Sequence, residues 1–189
     1  MHLKNIVIIS GPSGAGEDSV IEGLSEHVTV NRVITTTTRS PREGESDGED
    51  HYFISKEDFE ERIESGSMIE WAKQYNGNFY GVTKEELQRV NDLDGVGVWK
   101  IEYQGVITAK KLFPDIISIF LMAESLEVLE DRIRARSDVS EEFIAERMKY
   151  TQEWLKHADI YDYSLINKQG LLHETIQEVV DILRKEQYL

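Results

Sequence analysis

The chain has no cysteine, which excludes disulfides, thiolate metal sites and a cysteine nucleophile together. It is also short of positive charge: 21 lysines and arginines face 36 aspartates and glutamates, for a formal net charge of −15. A nucleic-acid polymer is therefore excluded as the expected partner, because such binding needs a basic surface to displace counterions. A local arginine cluster could still hold one small anion. Long apolar runs are missing too, and no segment approaches the roughly 20 residues that a membrane helix needs. Met1-His2-Leu3-Lys4 leads into an apolar strand rather than a signal peptide, so the expectation is a cytoplasmic protein without membrane association. What remains, 189 residues of which 40% are hydrophobic, suffices for one buried core.

Short apolar runs alternate with helical patterns. Strands are expected at Ile6–Ser10, Arg32–Thr37, Val96–Ile101, Ile116–Met122 and Tyr163–Asn167. Helices are expected at Glu17–His27, Lys56–Ser65, Lys84–Leu93, Gln104–Leu112, Ser125–Arg136, Glu141–His157 and Leu171–Lys185. Ser55 and Ser140 precede acidic first turns and read as N-caps. The runs at 6–9 and 116–122 lack polar alternation, as in parallel strands covered on both faces. The alternation predicts an α/β fold on a parallel sheet. Residues 39–82 break the rhythm with short aromatic strands such as His51-Tyr52-Phe53-Ile54, one helix, and a hairpin turn at Asn76-Gly77. They read as an insertion of mixed β structure. A second irregular, polar stretch covers Arg134–Ser140.

The first strand runs into Gly11-Pro12-Ser13-Gly14-Ala15-Gly16-Glu17-Asp18-Ser19. The pattern G-x-x-x-x-G-K-[ST] between strand and helix cradles nucleotide phosphates on backbone N–H groups. Its lysine reaches the β/γ-phosphates and its hydroxyl binds Mg²⁺. Both glycines stand at the right spacing, but Glu17 holds the lysine position and Asp18 the hydroxyl position. The loop reads as a phosphate binder whose cation is either lost or moved elsewhere. A second cluster, Thr35-Thr36-Thr37-Thr38-Arg39-Ser40-Pro41-Arg42, carries two arginines three apart around a proline. Guanidinium forks match phosphate oxygens bidentately, although the segment taken alone also reads as a solvated loop.

Across nearly its whole length the chain resembles guanylate kinase. Gly11–Gly16 is similar to the family's first loop, and Thr37-Thr38-Arg39-Ser40-Pro41-Arg42-Glu43-Gly44-Glu45 to its T-T-R-x-P-R-x-G-E signature. Ile69-Glu70-Trp71-Ala72 and Gly77-Asn78-Phe79-Tyr80-Gly81 resemble the rest of the monophosphate domain. Arg132-Ile133-Arg134-Ala135-Arg136 and Arg147 resemble the lid arginines; Ala158–Tyr163 and Asn167 resemble the C-terminal segment.

The resemblance implies a three-layer nucleotide-kinase fold: one domain over 1–189, with a GMP-binding insertion at 36–84, a lid at 134–142, and the core in the rest. It implies transfer of the ATP γ-phosphoryl group to GMP, with Mg²⁺ as cofactor and small nucleotides as partners. Arg39, Arg42 and Tyr80 would hold the GMP phosphate, Glu70 and Thr35 would read guanine, and Glu45, His51 and Val82 would line the same site. Arg132, Arg136 and Arg147 would stabilise the transferring group, with residues 11–19 and Asn167 on the ATP side.

Several positions depart from the family pattern. Besides Glu17 and Asp18, His51 stands where a phosphate-binding tyrosine is usual, and Val82 where a hydroxyl is common. Lys100 replaces an acid and Glu102 an aspartate. Asp18 and Glu102 are the expected metal ligands, with Ser19 nearby. Lys100 shares a strand face with Glu102, and the expectation is that it reaches the loop, pairs with Glu17 and acts as the transposed cation. Two other functions fit the sequence: a catalytically silent domain that binds GMP or a protein, and a kinase for another phosphorylated acceptor. The sequence sets no oligomeric state.

Overall fold

A computed structural model describes residues 2–73, 77–135 and 139–189. At its centre lies β1 (Ile6–Ser10), whose five residues are all buried, so both faces of the strand are covered. β7 (Val96–Lys100) and β8 (Ser118–Met122) flank it, with β2 (Val30–Arg32) and β9 (Tyr163–Ile166) at the edges. All pairings in this sheet are parallel, in the order β2-β7-β1-β8-β9. Ile9 lies beside Lys100, and Ser10 beside Phe120, so the loop after β1 leaves the same sheet edge as the end of β7. That edge, at the carboxyl ends of the strands, is where open α/β sheets bind ligands.

Among the described residues, seven α-helices accompany the strands: α1 (Glu17–Leu24), α2 (Lys56–Glu64), α3 (Lys84–Asn91), α4 (Tyr103–Leu112), α5 (Leu126–Arg134), α6 (Glu141–Leu155) and α7 (Leu172–Lys185). α1 and α7 pack tightly at Gly23, where an added Cβ would meet Ile176 Cδ1 at 2.2 Å. Ser55 Oγ accepts from Asp58 N at 3.0 Å and Ser140 Oγ from Phe143 N at 3.2 Å, so both predicted caps are in place.

A second sheet takes the order β4-β3-β6-β5, from β3 (Thr36–Thr37), β4 (Tyr52–Phe53), β5 (Met68–Lys73) and β6 (Phe79–Thr83). Its separate apolar centre is Phe59 of α2 against Met68 and Phe79, with Phe59 stacked on Phe79 at 5.3 Å. Thr83 ends β6 and caps α3, its Oγ1 accepting from Glu86 N at 3.1 Å. The Glu86 side chain, 3% exposed, then accepts from Ile34 N, Tyr52 and Arg89, tying the small sheet to the core.

The single strand expected at Arg32–Thr37 is two. Val33 N still donates to Val98 O at 2.9 Å, then the chain crosses to the second sheet and becomes β3. β5 and β6 pair antiparallel, as a hairpin requires, while Asn76 of the predicted turn lies outside the described residues.

Candidate active site

The loop from Gly11 to Gly16 is held by contacts that only glycine permits. A Cβ on Gly11 would lie 2.5 Å from Leu121 O, and one on Gly16 would lie 2.4 Å from Asn167 Nδ2. Gly14 and Gly16 also adopt φ of +91° and +95°, in the left-handed region. Asn167 Nδ2 donates to Ala15 O at 2.9 Å, and Thr175 Oγ1 donates to Asn167 Oδ1 at 3.3 Å. Gly16 precedes α1, whose first turn holds Glu17 and Asp18, so the loop ends on a helix N-terminus.

Arg132 lies against this loop. Its guanidinium donates to Gly14 O at 3.3 Å, Asn167 O at 2.8 Å, Gln169 Oε1 at 3.2 Å and Glu124 Oε2 at 3.4 Å. Expected to stabilise the transferring group, it braces the loop in this conformation. Arg136 lies outside the described residues. Arg147 lines the cleft with its guanidinium 5.0 Å over Phe143.

Lys100 is the exposed last residue of β7 after four buried ones. Its Nζ lies 2.6 Å from Asp18 Oδ1, and Arg32 Nη1 is 3.9 Å from the same oxygen. The lysine reaches the loop and forms an ion pair there with Asp18. The pairing also bears on metal binding, because an ammonium covers one oxygen of Asp18.

Beside the loop is a cleft of about 220 Å³, lined by Gly11, Ser13, Glu17, Lys100, Glu102 and Arg147. It adjoins a larger one of about 450 Å³ that reaches Ala72 and Lys73 of β5, the two sharing Glu102, Arg147 and Tyr150. Tyr150 Oη stands 2.7 Å from Glu102 Oε2 and 2.8 Å from Gln104 Oε1. Burial first, then the Glu102 charge, push the Tyr150 hydroxyl up in pKa, so it stays a donor. Behind the floor, Trp154 Nε1 donates to Tyr161 Oη at 2.9 Å, and Ser10 Oγ donates to Ile101 O at 2.6 Å. Tyr161 Oη must therefore give its proton to Ser10 Oγ at 2.8 Å, which sets one direction along the chain of bonds.

On the second sheet, Arg39 forks onto Glu45, with Nη1 to Oε2 at 2.8 Å and Nη2 to Oε1 at 2.9 Å. Arg39 Nε donates to Tyr80 Oη at 3.2 Å, and Arg42 N donates to Glu45 Oε2 at 2.7 Å. The bonds to Arg39 first, and to the Arg42 backbone second, hold Glu45 down at a pKa of about 2. Glu45, expected to line the site, thus serves as the anchor that orients Arg39. His51 is half-buried, its Nδ1 3.3 Å from Thr35 O and its ring 6.0 Å from that of Tyr80. Burial, followed by the Arg39 charge, lowers its pKa, so it is neutral at pH 7.

Glu70 lies on β5, paired in register with Val82 of β6. Burial, then repulsion from Glu102, raises its carboxyl to about 7. Gly105 gives it room, since a Cβ there would lie 3.2 Å from Glu70 Oε1. Val82, its cross-strand partner and 1% exposed, sits in the apolar core. Thr35 immediately precedes β3, its carbonyl also accepting from Tyr52 N at 3.0 Å.

Sequence reasoning missed Tyr150 and Glu86. Tyr150 follows Arg147 by three on α6 and so shares its face, a signal the sequence did carry. Glu86 carried only its place as the fourth residue of a Thr-x-x-Glu capping box.

No helix among the described residues is long and apolar enough to cross a membrane. The family model for guanylate kinase matches residues 3–186. The guanylate kinase of Haemophilus influenzae is 39% identical over 190 residues, covering 98% of this chain and 90% of its own. That of Caldanaerobacter subterraneus is 39% identical over 167 residues, covering 86% of this chain and 79% of its own. The crystal structure of guanylate kinase from Anaplasma phagocytophilum superposes with a TM-score of 0.76 at 29% identity, over 99% of this chain and 88% of that one. With the α/β fold and the glycine loop at its sheet edge, these matches establish that the chain belongs to the guanylate kinase family.

Proposed function

We propose that the protein transfers the γ-phosphoryl group of ATP to GMP, giving ADP and GDP. What carries this reading is one juxtaposition. The glycine loop lines one of two adjoining clefts, and Glu102, which both clefts share with Arg147 and Tyr150, is also the charge that repels the buried Glu70 carboxyl. Residues 36–84 are the GMP-binding insertion and 134–142 the lid, on one core. The phosphate of GMP binds Arg39, Arg42 and Tyr80, with Glu45 holding the guanidinium in place. His51 and Thr35 close one side and Val82 gives an apolar wall. Glu70, once ionised, accepts from guanine N1–H and N2–H₂, donors that adenine lacks.

A GMP phosphate oxygen forms the new bond to Pγ as the bond from Pγ to the β–γ bridging oxygen breaks. ADP keeps that electron pair, and the dianionic phosphate has no proton to lose, so no general base is needed. The protein's work is positioning and charge stabilisation. Arg147, which lines the cleft, and Arg136 are assigned to the transferring group, and Arg132 with Asn167 keeps the loop in shape. Closing the insertion and lid excludes water, which would otherwise take the phosphoryl group.

Magnesium fits in reduced form. Among the described residues no three His, Asp or Glu side chains cluster as a cation cage, but Mg²⁺ commonly takes only one or two carboxylates with phosphates and water. Glu102, on the floor of both clefts, is the carboxylate that fits; Asp18 has one oxygen left beside Lys100, with Ser19 next to it. When bound, the ion would offset charge on the β- and γ-oxygens. We place the enzyme in the cytoplasm with free nucleotides as partners; its net charge of −15 disfavours nucleic-acid polymers.

The test is ADP release with GMP, AMP, CMP and UMP as acceptors. Turnover with GMP alone is expected. A protein that binds GMP but forms no GDP would instead be a silent binding domain, and turnover with another acceptor would reassign the substrate.

A further inference from the structure

We infer that Lys100, held over the loop by Asp18, is the catalytic cation that the loop itself lacks. It leaves Asp18 for the γ-phosphoryl group when ATP binds. This rests on the phosphotransfer reading above. The loop presents Glu17 and Asp18 at the helix N-terminus, so polyphosphate would meet two acids there unless a cation intervenes. Arg132 does not intervene, because its donors are committed to Gly14 O, Asn167 O, Gln169 and Glu124.

Lys100 has the required placement. Its backbone is fixed in register beside Ile9, two residues before Gly11, and its side chain lines the loop cleft with Gly11, Ser13 and Glu17. Its charge is felt in the other direction too, at His51 in the arginine cluster, where it opposes ring protonation after burial and Arg39.

The pair is also built to exchange. The Lys100 side chain is 47% exposed and that of Asp18 68% exposed, and an ion pair this wet is weak. A polyphosphate carries more charge than one carboxylate and can displace it. Lysine suits this role because its ammonium is a compact charge on a flexible stem. Asp18 is then a positioning residue: it parks the ammonium at the mouth of the loop and keeps it from pairing elsewhere while the site is empty.

The test uses Lys100→Met, Lys100→Arg and the double variant Glu17→Lys/Lys100→Met in the full chain. Two readouts are taken: steady-state turnover, and calorimetric titration of ADP and of an ATP analogue with a nitrogen β–γ bridge, both with Mg²⁺. Loss of a transition-state charge donor predicts a kcat for Lys100→Met about 100-fold below the parent. The analogue should bind about 10-fold or more weakly, the cost of one charge-assisted contact, while ADP and GMP affinities shift less than about threefold. Lys100→Arg should keep at least about a tenth of the activity, and the double variant should regain about 10-fold over Lys100→Met. A merely structural ion pair would leave the ratio of analogue to ADP affinity unmoved. Unchanged kcat in Lys100→Met, or equal losses for analogue and ADP, would overturn the inference. If the parent forms no GDP, the phosphotransfer reading fails by itself, and the affinity ratio still decides whether Lys100 meets the γ-phosphate.

Discussion

In the proposed reaction, the donor and acceptor sides of the site are built by different means. On the donor side the loop is a backbone object, shaped by Gly11, Gly14 and Gly16 and pinned through its carbonyls by Asn167 and Arg132. On the acceptor side the site is a set of side chains, with Arg39 locked by Glu45 and Tyr80, and Glu70 buried opposite Val82. A backbone cradle can change its side chains and keep its shape, so Glu17 and Asp18 sit in an otherwise regular loop. A side-chain site has no such freedom, since each member fixes another.

If the donor side depends on backbone shape, its most damaging single change is Gly16→Ala. The new Cβ meets Asn167 Nδ2 at 2.4 Å and forces a left-handed φ on alanine. Strain and overpacking together should cost about 2–4 kcal/mol. Thermal unfolding should show Tm lower by roughly 5–15 °C, and ATP binding should be lost in titration. A stable variant with normal ATP affinity would break the contrast.

Arg39→Ala should act next most strongly, and on one substrate. It removes the fork and leaves Glu45 facing the phosphate, so kcat/KM for GMP should fall about 100-fold or more. Affinity for the ATP analogue should stay within about twofold, since the donor loop is shaped without Arg39.

Glu70 sharpens the contrast through pH. With its carboxyl near 7, Glu70 is largely protonated at pH 6 and largely ionised at pH 8. Only the carboxylate accepts both guanine donors, so KM for GMP should rise about 10-fold from pH 8 to pH 6. The sign for stability is opposite. A carboxyl raised above its unfolded value favours the protonated form, so the native state loses stability as pH climbs from about 4.5 to 7. Glu70→Gln should therefore stabilise the free protein by about 1–3 kcal/mol at pH 8 and by little at pH 4, as denaturant unfolding would measure. A flat KM profile in the parent would remove Glu70 as the base reader.

The smallest effect belongs to a cap. Ser55→Ala removes the acceptor for Asp58 N at the start of α2 and should cost about 1 kcal/mol in chemical unfolding, leaving kcat intact.

What the sequence made legible was whatever is local. Ser55 and Ser140 sit where caps must sit, and the apolar runs at 6–9 and 116–122 carry the buried pattern of central strands. The glycine loop was legible because strand, spacing and helix agree along the chain. What escaped depends on approach in space. The ion pair of Lys100 with Asp18 joins residues 82 positions apart, which no spacing rule gives. The break between β2 and β3 follows from two sheets competing for one segment. Glu86 gathers donors from Ile34, Tyr52 and Arg89, so its burial is a tertiary fact. The contact of Arg132 with Gly14 O spans 118 residues, so it too is a tertiary fact.

Guanine-selective phosphotransfer is tested most directly by the ratio of kcat/KM for GMP to that for AMP, in the parent and in Glu70→Gln at pH 8. A site that hydrogen-bonds a buried substrate N–H discriminates by about 10⁴-fold. A ratio of that order in the parent, falling at least about 100-fold in Glu70→Gln with ATP affinity unchanged, is the predicted result. Equal efficiency with GMP and AMP in the parent, or a ratio untouched by Glu70→Gln, would contradict it.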